Sequence, residues 1–275
     1  MDFAIEPVAE DTVLLRFGDA IDANINARVH AAAHTLRTAN LAGIIDIAPA
    51  YATLLVRFDP AVWLDTVGAR PLEHIATSIR SVVAGLPLSQ ADASLGGRGW
   101  GKGAKPSQAA DAGCARSAGC FAVSSLPSHR PGKPACVVIP VCYGGEYGPD
   151  LDAIAAHARL APDDIVARHG ASDYTVAMLG FAPGFPYLLG LDPVLHMPRR
   201  ANPRTRVPAG SVAIGGAQTG IYPRELPGGW HLIGRTPLAL FTPRREPPCV
   251  LAPGDRVCFR AIDADEFTRL SKPSA

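Results

Sequence analysis

From residue 180 to residue 259 glycine or proline recurs every few positions, and the apolar runs between them are short. A stable helix needs about ten uninterrupted residues, and an internal proline removes a hydrogen bond and clashes with the preceding turn. This region can therefore hold only short strands joined by tight turns. "GSVAIGG", "WHLIGRT", "LALF" and "DRVCFRA" are such strands, with "ACVVIPVCYGG" and "DYTVAMLGF" upstream. Many short strands with regular turn signals predict a β-barrel or sandwich rather than a parallel α/β sheet. Two short helices, "GPDLDAIAAHARL" and "APDDIVARHGA", interrupt the pattern, with Asp150 placed to cap the first and Pro162-Asp163-Asp164 opening the second.

The first third of the chain has a different period. "DTVLLRF" reads as a strand, and "AIDANINARVHAAAHTLRTA" as a helix with Ile21, Ile25, Val29, Ala32 and Leu36 at helical spacing. "GIIDIAPAYATLLVRFD" offers two strands around Pro49-Ala50, and "RPLEHIATSIRSVVAGL" a second helix with Ile75, Ile79 and Val82 on one stripe. The order β-α-β-β-α predicts a small α+β unit, ferredoxin-like if a further strand completes it. Between the two regions, Leu95 to Pro134 is rich in Gly, Ser, Ala, Pro and Lys without a sustained period. Such a composition buries too little apolar surface to offset its ordering entropy. The predicted organisation is an N-terminal domain over 1–94, a mobile linker or insertion over 95–134, and a β-barrel domain over 135–275.

With 48% hydrophobic residues in 275, the chain can fill one or two cores. A formal net charge of +1 leaves no footprint for nucleic acid or an anionic membrane surface. The opening "MDFAIEPVAEDTVLLRF" carries acids where a signal peptide needs a basic region, and no uncharged stretch approaches the roughly 20 residues of a membrane span. A cytoplasmic protein is expected. None of the six cysteines forms a C-x-x-C pair, so neither a zinc site nor a thioredoxin-type motif is indicated, and reduced, packed thiols are expected. His30, His34 and His74 fall on predicted helices without metal-ligand partners.

Residues 181–236 hold the densest chemistry. Arg199, Arg200, Arg204 and Arg206 are interleaved with Pro198, Pro203 and Pro208. Stiffened guanidiniums of this kind bind carboxylate or phosphate in bidentate fashion, although a solvated loop with salt bridges has the same composition. "GGAQTGIYP" sets Gly215, Gly216 and Gly220 around Gln218 and Thr219, with Tyr222 beyond. Such glycines admit a ligand to the backbone, or simply make tight turns. The pattern is neither a P-loop nor a dinucleotide-binding loop. In "PGGWHLIGRTP", Trp230 and His231 face opposite ways if the segment is a strand, so only one can point at a pocket. "GFAPGFPYLLG" leaves a strand through a proline-stiffened turn that sets Phe181, Phe185 and Tyr187 beside a groove, as a pocket wall or half of a subunit interface. Glu146, Asp150, Asp173, Asp192 and Glu225 could serve as acid or base, but sequence does not pair them. There is no nucleophile elbow, no H-E-x-x-H and no Cys–His pair, so no catalytic residue is assigned.

"GGEYGPDL", "LGFAPGFPYLLGL", "PRRANPRTRVPAGSVAIGGAQTGIYPRELPGGWHLIGRTP" and "APGDRVCF" closely resemble the bacterial 5-oxoprolinase B-subunit family. That family is also labelled allophanate hydrolase subunit 1 and includes the kinase inhibitor KipI. The resemblance spans nearly all of the chain outside 95–134, which looks longer and more irregular than the family's. It implies a small α+β domain followed by a cyclophilin-like β-barrel. It also implies one component of an ATP-dependent lactam hydrolase, inactive alone, that works with C-subunit and A-subunit homologues and takes ATP as co-substrate, with neither a metal nor biotin indicated in this chain. Two other roles come with it: a KipI-like inhibitor of a histidine kinase, and a component related to urea carboxylase, although the biotinyl-lysine motif and the amidase Ser-Ser-Lys set are missing. From residue chemistry, Arg204 and Arg206 are expected to neutralise a substrate carboxylate or phosphate. Gln218, Thr219 and Tyr222 are expected to orient the lactam, with Gly215 and Gly216 admitting it.

Overall fold

The computed structural model describes residues 2–64, 71–84 and 136–272. The predicted linker over 95–134, with Cys114 and Cys120, lies outside the described residues.

Strands β1 (Ala4–Ala9), β2 (Thr12–Arg16), β3 (Ile44–Pro49) and β4 (Thr53–Phe58) form an antiparallel sheet in the order β1-β2-β4-β3. This is the ferredoxin-like strand order, but the completing strand precedes the unit instead of following its second helix. The local pattern does not mark β1, because Glu6 and Pro7 break its alternation. At a sheet edge the missing proline donor faces no partner strand, so Pro7 is tolerated there. Helix α1 (Ala23–Ala39) starts at Asp22, whose carboxylate accepts the N–H groups of Asn24 and Ile25. Ile21 therefore precedes the helix and is exposed, while Asn26 takes a buried position on the inward stripe with Val29, Ala33 and Leu36. Helix α2 (Pro71–Ala84) buries Ile75, Ile79 and Val83, and both helices share one core with Leu15, Leu54, Val56 and Phe58.

The second unit is a closed seven-stranded barrel. Strands β5 (Cys136–Tyr143), β6 (Tyr174–Leu179), β7 (Pro186–Leu189), β9 (Ser211–Gly215), β10 (Gln218–Ile221), β12 (His231–Arg235) and β13 (Arg256–Ile262) run in the order β10-β7-β6-β13-β5-β12-β9. Only β5 and β13 pair in parallel, over seven residues. Closure removes every sheet edge, which suits strands too short to be stable in an open sheet. Strands β8 (Arg204–Val207) and β11 (Leu226–Gly228) form a separate ribbon. Helices α3 (Leu151–Ala158) and α4 (Pro162–Ala171) connect β5 to β6, and α5 (Ala264–Ser271) packs Phe267 on Tyr147. The "LALF" segment is not a strand. Prolines at 237 and 243 bracket it, and only Phe241 makes a bridge, to Cys249.

The expectation of uniformly reduced cysteines is corrected for one pair. Cys136 and Cys258 form a disulfide, their Cα atoms 6.2 Å apart. The parallel register sets Cys258 opposite Val138 and Arg256 opposite Cys136, which brings the two sulfurs diagonally together across 122 residues of sequence. Cys142 and Cys249 are free.

Inside the barrel one polar chain crosses the apolar core. His169, fully buried at the end of α4, meets the Tyr143 hydroxyl at Nδ1 (2.8 Å) and Thr219 Oγ1 at Nε2 (3.2 Å), and Thr219 donates onward to the Ala213 carbonyl (3.0 Å). Because the Thr219 proton is committed to that carbonyl, His169 Nε2 carries a proton and Nδ1 accepts from Tyr143. Burial lowers the His169 pKa to about 3 from an ordinary value of 6.5, so the ring is neutral in the folded chain. The unfolded chain takes up a proton at 6.5 that the folded one refuses until about pH 3, so this group withdraws stability as pH falls through that window. Denaturant unfolding at stepped pH should show His169→Gln with a flatter acid limb than wild type, by up to about 1.4 kcal/mol per pH unit. Parallel limbs would show that His169 is not a buried neutral ring.

Candidate functional site

Two faces of the barrel wall carry different residues. Ile214, Ile221, Leu188, Val176 and Ile233 point into the barrel, while Ala213, Phe185, Tyr222, Trp230 and Leu232 build a second apolar cluster outside it, against Val207 and Leu226 of the β8–β11 ribbon. This outer cluster is an aromatic layer. Phe185 lies 4.9 Å from Tyr187, 5.1 Å from Tyr222 and 5.8 Å from Trp230, ring centre to ring centre, in tilted or edge-on geometry. Phe181 stands edge-on against Phe185 and Tyr222, exposed, with φ of 63°. A bulky residue in the left-handed region is strained, and the tight 180–185 turn holds it there. Arg199 lies over Trp230 at 5.8 Å.

The glycines of "GGAQTGIYP" and "PGGW" serve this layer. A Cβ on Gly215 would stand 2.6 Å from the Trp230 ring, one on Gly220 would stand 3.0 Å from Phe185, and one on Gly228 would stand 2.1 Å from the Tyr222 hydroxyl. Gly215 is thus filled by the protein's own indole rather than open to a ligand. Gly216, with φ of 67° and open space around it, makes the β9–β10 turn and pairs with Met197 through both backbone groups.

Beside the layer is a charged knot. Asp150 stands at the N-cap position of α3, but its side chain does not cap the helix. Its Oδ1 accepts from Arg200 Nη1 (3.0 Å) and Arg204 Nη2 (2.8 Å), and its Oδ2 accepts from the Leu232 N–H (2.7 Å). Burial pushes the Asp150 pKa up, but the Arg204 hydrogen bond, the Leu232 N–H and the two guanidinium charges outweigh it and hold the carboxyl below its ordinary range. One carboxylate neutralises only one of two arginines, so the knot keeps a net positive charge. Arg200 Nε and Arg204 Nη1 are buried without a hydrogen-bond partner. His231 donates from Nε2 to the Pro198 carbonyl (3.0 Å), and its Nδ1 is likewise unpartnered. With the Tyr51 hydroxyl, which borders the layer at Tyr187, these are four of six such atoms among the described residues. Each buried polar group left unsatisfied calls for a partner from outside the chain, a water, an ion or a ligand.

The other residues singled out from sequence are scattered. Arg206 is not with Arg204: it pairs with Glu225 at 2.8 Å, both side chains exposed. Thr219 is inside the barrel, bonded to His169 and Ala213, while Gln218, buried at the start of β10, is a polar neighbour of Tyr51 at the aromatic layer. Tyr222 is buried in the layer, its backbone N–H bonded to Ser211.

The family described as "Carboxyltransferase domain, subdomain C and D" matches residues 3–94 and 115–251. The 5-oxoprolinase B subunit of Bacillus subtilis (strain 168) is 36% identical over 265 residues, covering 96% of this chain and 95% of that protein. The chain belongs to the 5-oxoprolinase B-subunit family. The crystal structure of TTHA0988 is 31% identical with a TM-score of 0.66 and covers 92% of this chain, which spans only 40% of that longer protein. The Kluyveromyces lactis urea amidolyase superposes over 97% of this chain and 15% of its own, with a TM-score of 0.62. At 17% identity that likeness shows the fold alone.

For a member of the 5-oxoprolinase B-subunit family, the barrel face combines a rigid aromatic layer with a cationic edge. Sequence reading missed Asp150 as the organiser of that edge and Arg200 as its second cation, since α3 and the 198–204 segment meet only in the fold. Arg199 signalled itself only through its neighbours in the arginine run. The packing makes a direct prediction. Gly215→Ala should cost roughly 1–3 kcal/mol in unfolding free energy through overpacking and shift the Trp230 emission spectrum. Gly216→Ala should cost about 1–2 kcal/mol through its backbone alone and leave emission unchanged. Equal emission spectra for both variants would contradict the placement of the indole over Gly215.

Proposed function

We propose that this chain is one subunit of an ATP-dependent 5-oxoprolinase, which converts 5-oxo-L-proline, ATP and water to L-glutamate, ADP and phosphate. The observation that carries the reading is end-to-end similarity to a 5-oxoprolinase B subunit, 36% identical with 95% of that protein covered. A lactam is an unreactive amide, and opening a five-membered one is uphill, which is why the reaction is coupled to ATP. Partner chains homologous to the C and A components of such an enzyme would supply the remaining steps, so the ATP-using step belongs to the complex and is assigned to no residue here.

In this reading the Asp150 knot binds the anionic end of the substrate. Arg204 and Arg200 bring an excess positive charge and two unfilled N–H donors to one edge of the aromatic layer. Arg206, bound to Glu225 in solvent, has no part in this site, and Thr219 acts on the barrel interior. The complex works in the cytoplasm, where ATP is available. The strands that Cys136 and Cys258 bridge are also joined by the seven-residue β5–β13 register. No helix of the described residues is long and apolar enough to cross a membrane.

Reconstitution with the A-component and C-component homologues tests the reading: glutamate should form from 5-oxoproline only with ATP, and not from this chain alone. Arg204→Ala should lower kcat/KM of the assembled complex about ten- to a hundredfold, as expected for a lost charge-assisted hydrogen bond of roughly 1.5–3 kcal/mol. Arg204→Lys should recover little, since lysine lacks the planar fork. Wild-type turnover by both assembled variants would remove Arg204 from the site.

A further inference from the structure

Tyr51 belongs to the N-terminal unit, in the turn between β3 and β4, yet its ring meets Tyr187 of the barrel edge-on at 6.1 Å. Tyr187 in turn packs on Phe185 and Trp230, so Tyr51 extends the aromatic layer across the seam between the two units. Its hydroxyl is buried with Gln218 as its polar neighbour, but no group of the chain meets it at hydrogen-bonding distance and angle. Phenylalanine would fill the same space without desolvating an unsatisfied O–H. Burial first, and then Tyr187, push its pKa up, against a smaller opposing pull from the neighbouring Gln218 amide and the Arg199 charge, so the hydroxyl stays protonated and is a donor.

The turn that carries Tyr51 is gripped by one side chain. Asn26, buried in α1, shares its two Nδ2 hydrogens among the carbonyls of Ala50 (3.0 Å), Tyr51 (3.2 Å) and, in β6, Ala177 (3.3 Å). Its Oδ1 lies 3.0 Å from His30 Nε2, which fixes the amide's orientation. A single amide therefore ties the Tyr51 turn to a barrel strand.

We infer that Tyr51 is a ligand-contacting residue of the barrel-face site, supplying from the N-terminal unit a neutral O–H donor for an amide-type carbonyl oxygen, and that Asn26 positions it. The inference rests on the oxoprolinase reading for the identity of the ligand, the ring carbonyl of 5-oxo-L-proline being an acceptor of that kind. It makes the site a composite of both units.

The test is Tyr51→Phe, measured in the reconstituted complex and by thermal unfolding of the chain. KM for 5-oxo-L-proline should rise about tenfold, while Tm stays level or rises because no hydrogen bond of good geometry is lost within the chain. Asn26→Ala should raise KM in the wild-type background but add nothing to it in the Tyr51→Phe background, whereas a purely structural role would act equally in both. An unchanged KM, or a Tm several degrees lower, overturns the inference. A wild-type complex that makes no glutamate overturns the oxoprolinase reading instead. The unfolding measurement then still decides whether the hydroxyl is idle within the chain, as the inference requires, or structural.

Discussion

Asp150 is the residue on which the barrel's outer face depends. Its carboxylate accepts from Leu232 and two arginines, while its own N–H donates to the Leu232 carbonyl at 2.9 Å. The start of α3, the strand β12 and the irregular 198–204 segment are thereby fixed to one another. Asp150 is buried and the two guanidiniums are partly exposed, so removing either arginine partner is destabilising chiefly through the carboxylate charge that has lost its solvent. The same carboxylate leaves one guanidinium charge over. Structure and binding capacity therefore come from one arrangement: the fold needs the acid to hold the segment, and the surplus cation is what a ligand can use.

The aromatic layer depends on its glycines in a similar way. Trp230 and Phe185 pack closely on the barrel wall, and Tyr222 on the ribbon, because positions 215, 220 and 228 have no Cβ. A wall of ordinary residues would lift the rings and open voids beneath them. The layer gives the knot a desolvated flank, and Arg199 over Trp230 and Tyr51 against Tyr187 mark its limits. Phe181, held in the left-handed region, is the ring presented to solvent.

Much of the fold was legible. The Gly/Pro punctuation and period-2 runs give a barrel, and the helical spacing of Val29, Ala32 and Leu36 gives α1. Local signals failed where a residue had two possible employers. Asp150 sits at a cap position, but the arginines and the Leu232 N–H outcompete its own helix. Pro7 spoiled the pattern of β1, yet an edge strand does not need the missing donor. The glycines of 215–220 read as room for a ligand, since one sequence cannot show that the room is taken by a ring ten or more residues away.

The sequence by itself determined which segments become strands and helices, where turns fall, and that the chemistry concentrates between residues 181 and 236, because propensity, periodicity and turn preference act over a few neighbouring residues. Only the tertiary structure decided the partners. It placed Asp150 between Arg200 and Arg204 while leaving Arg206 in solvent with Glu225, joined Cys136 to Cys258, turned Thr219 inward to His169, and carried Tyr51 across to Tyr187. Each of these pairs residues far apart in the chain. Their proximity follows from strand register and barrel closure, which are set by the packing of the whole core and by no local pattern of residues.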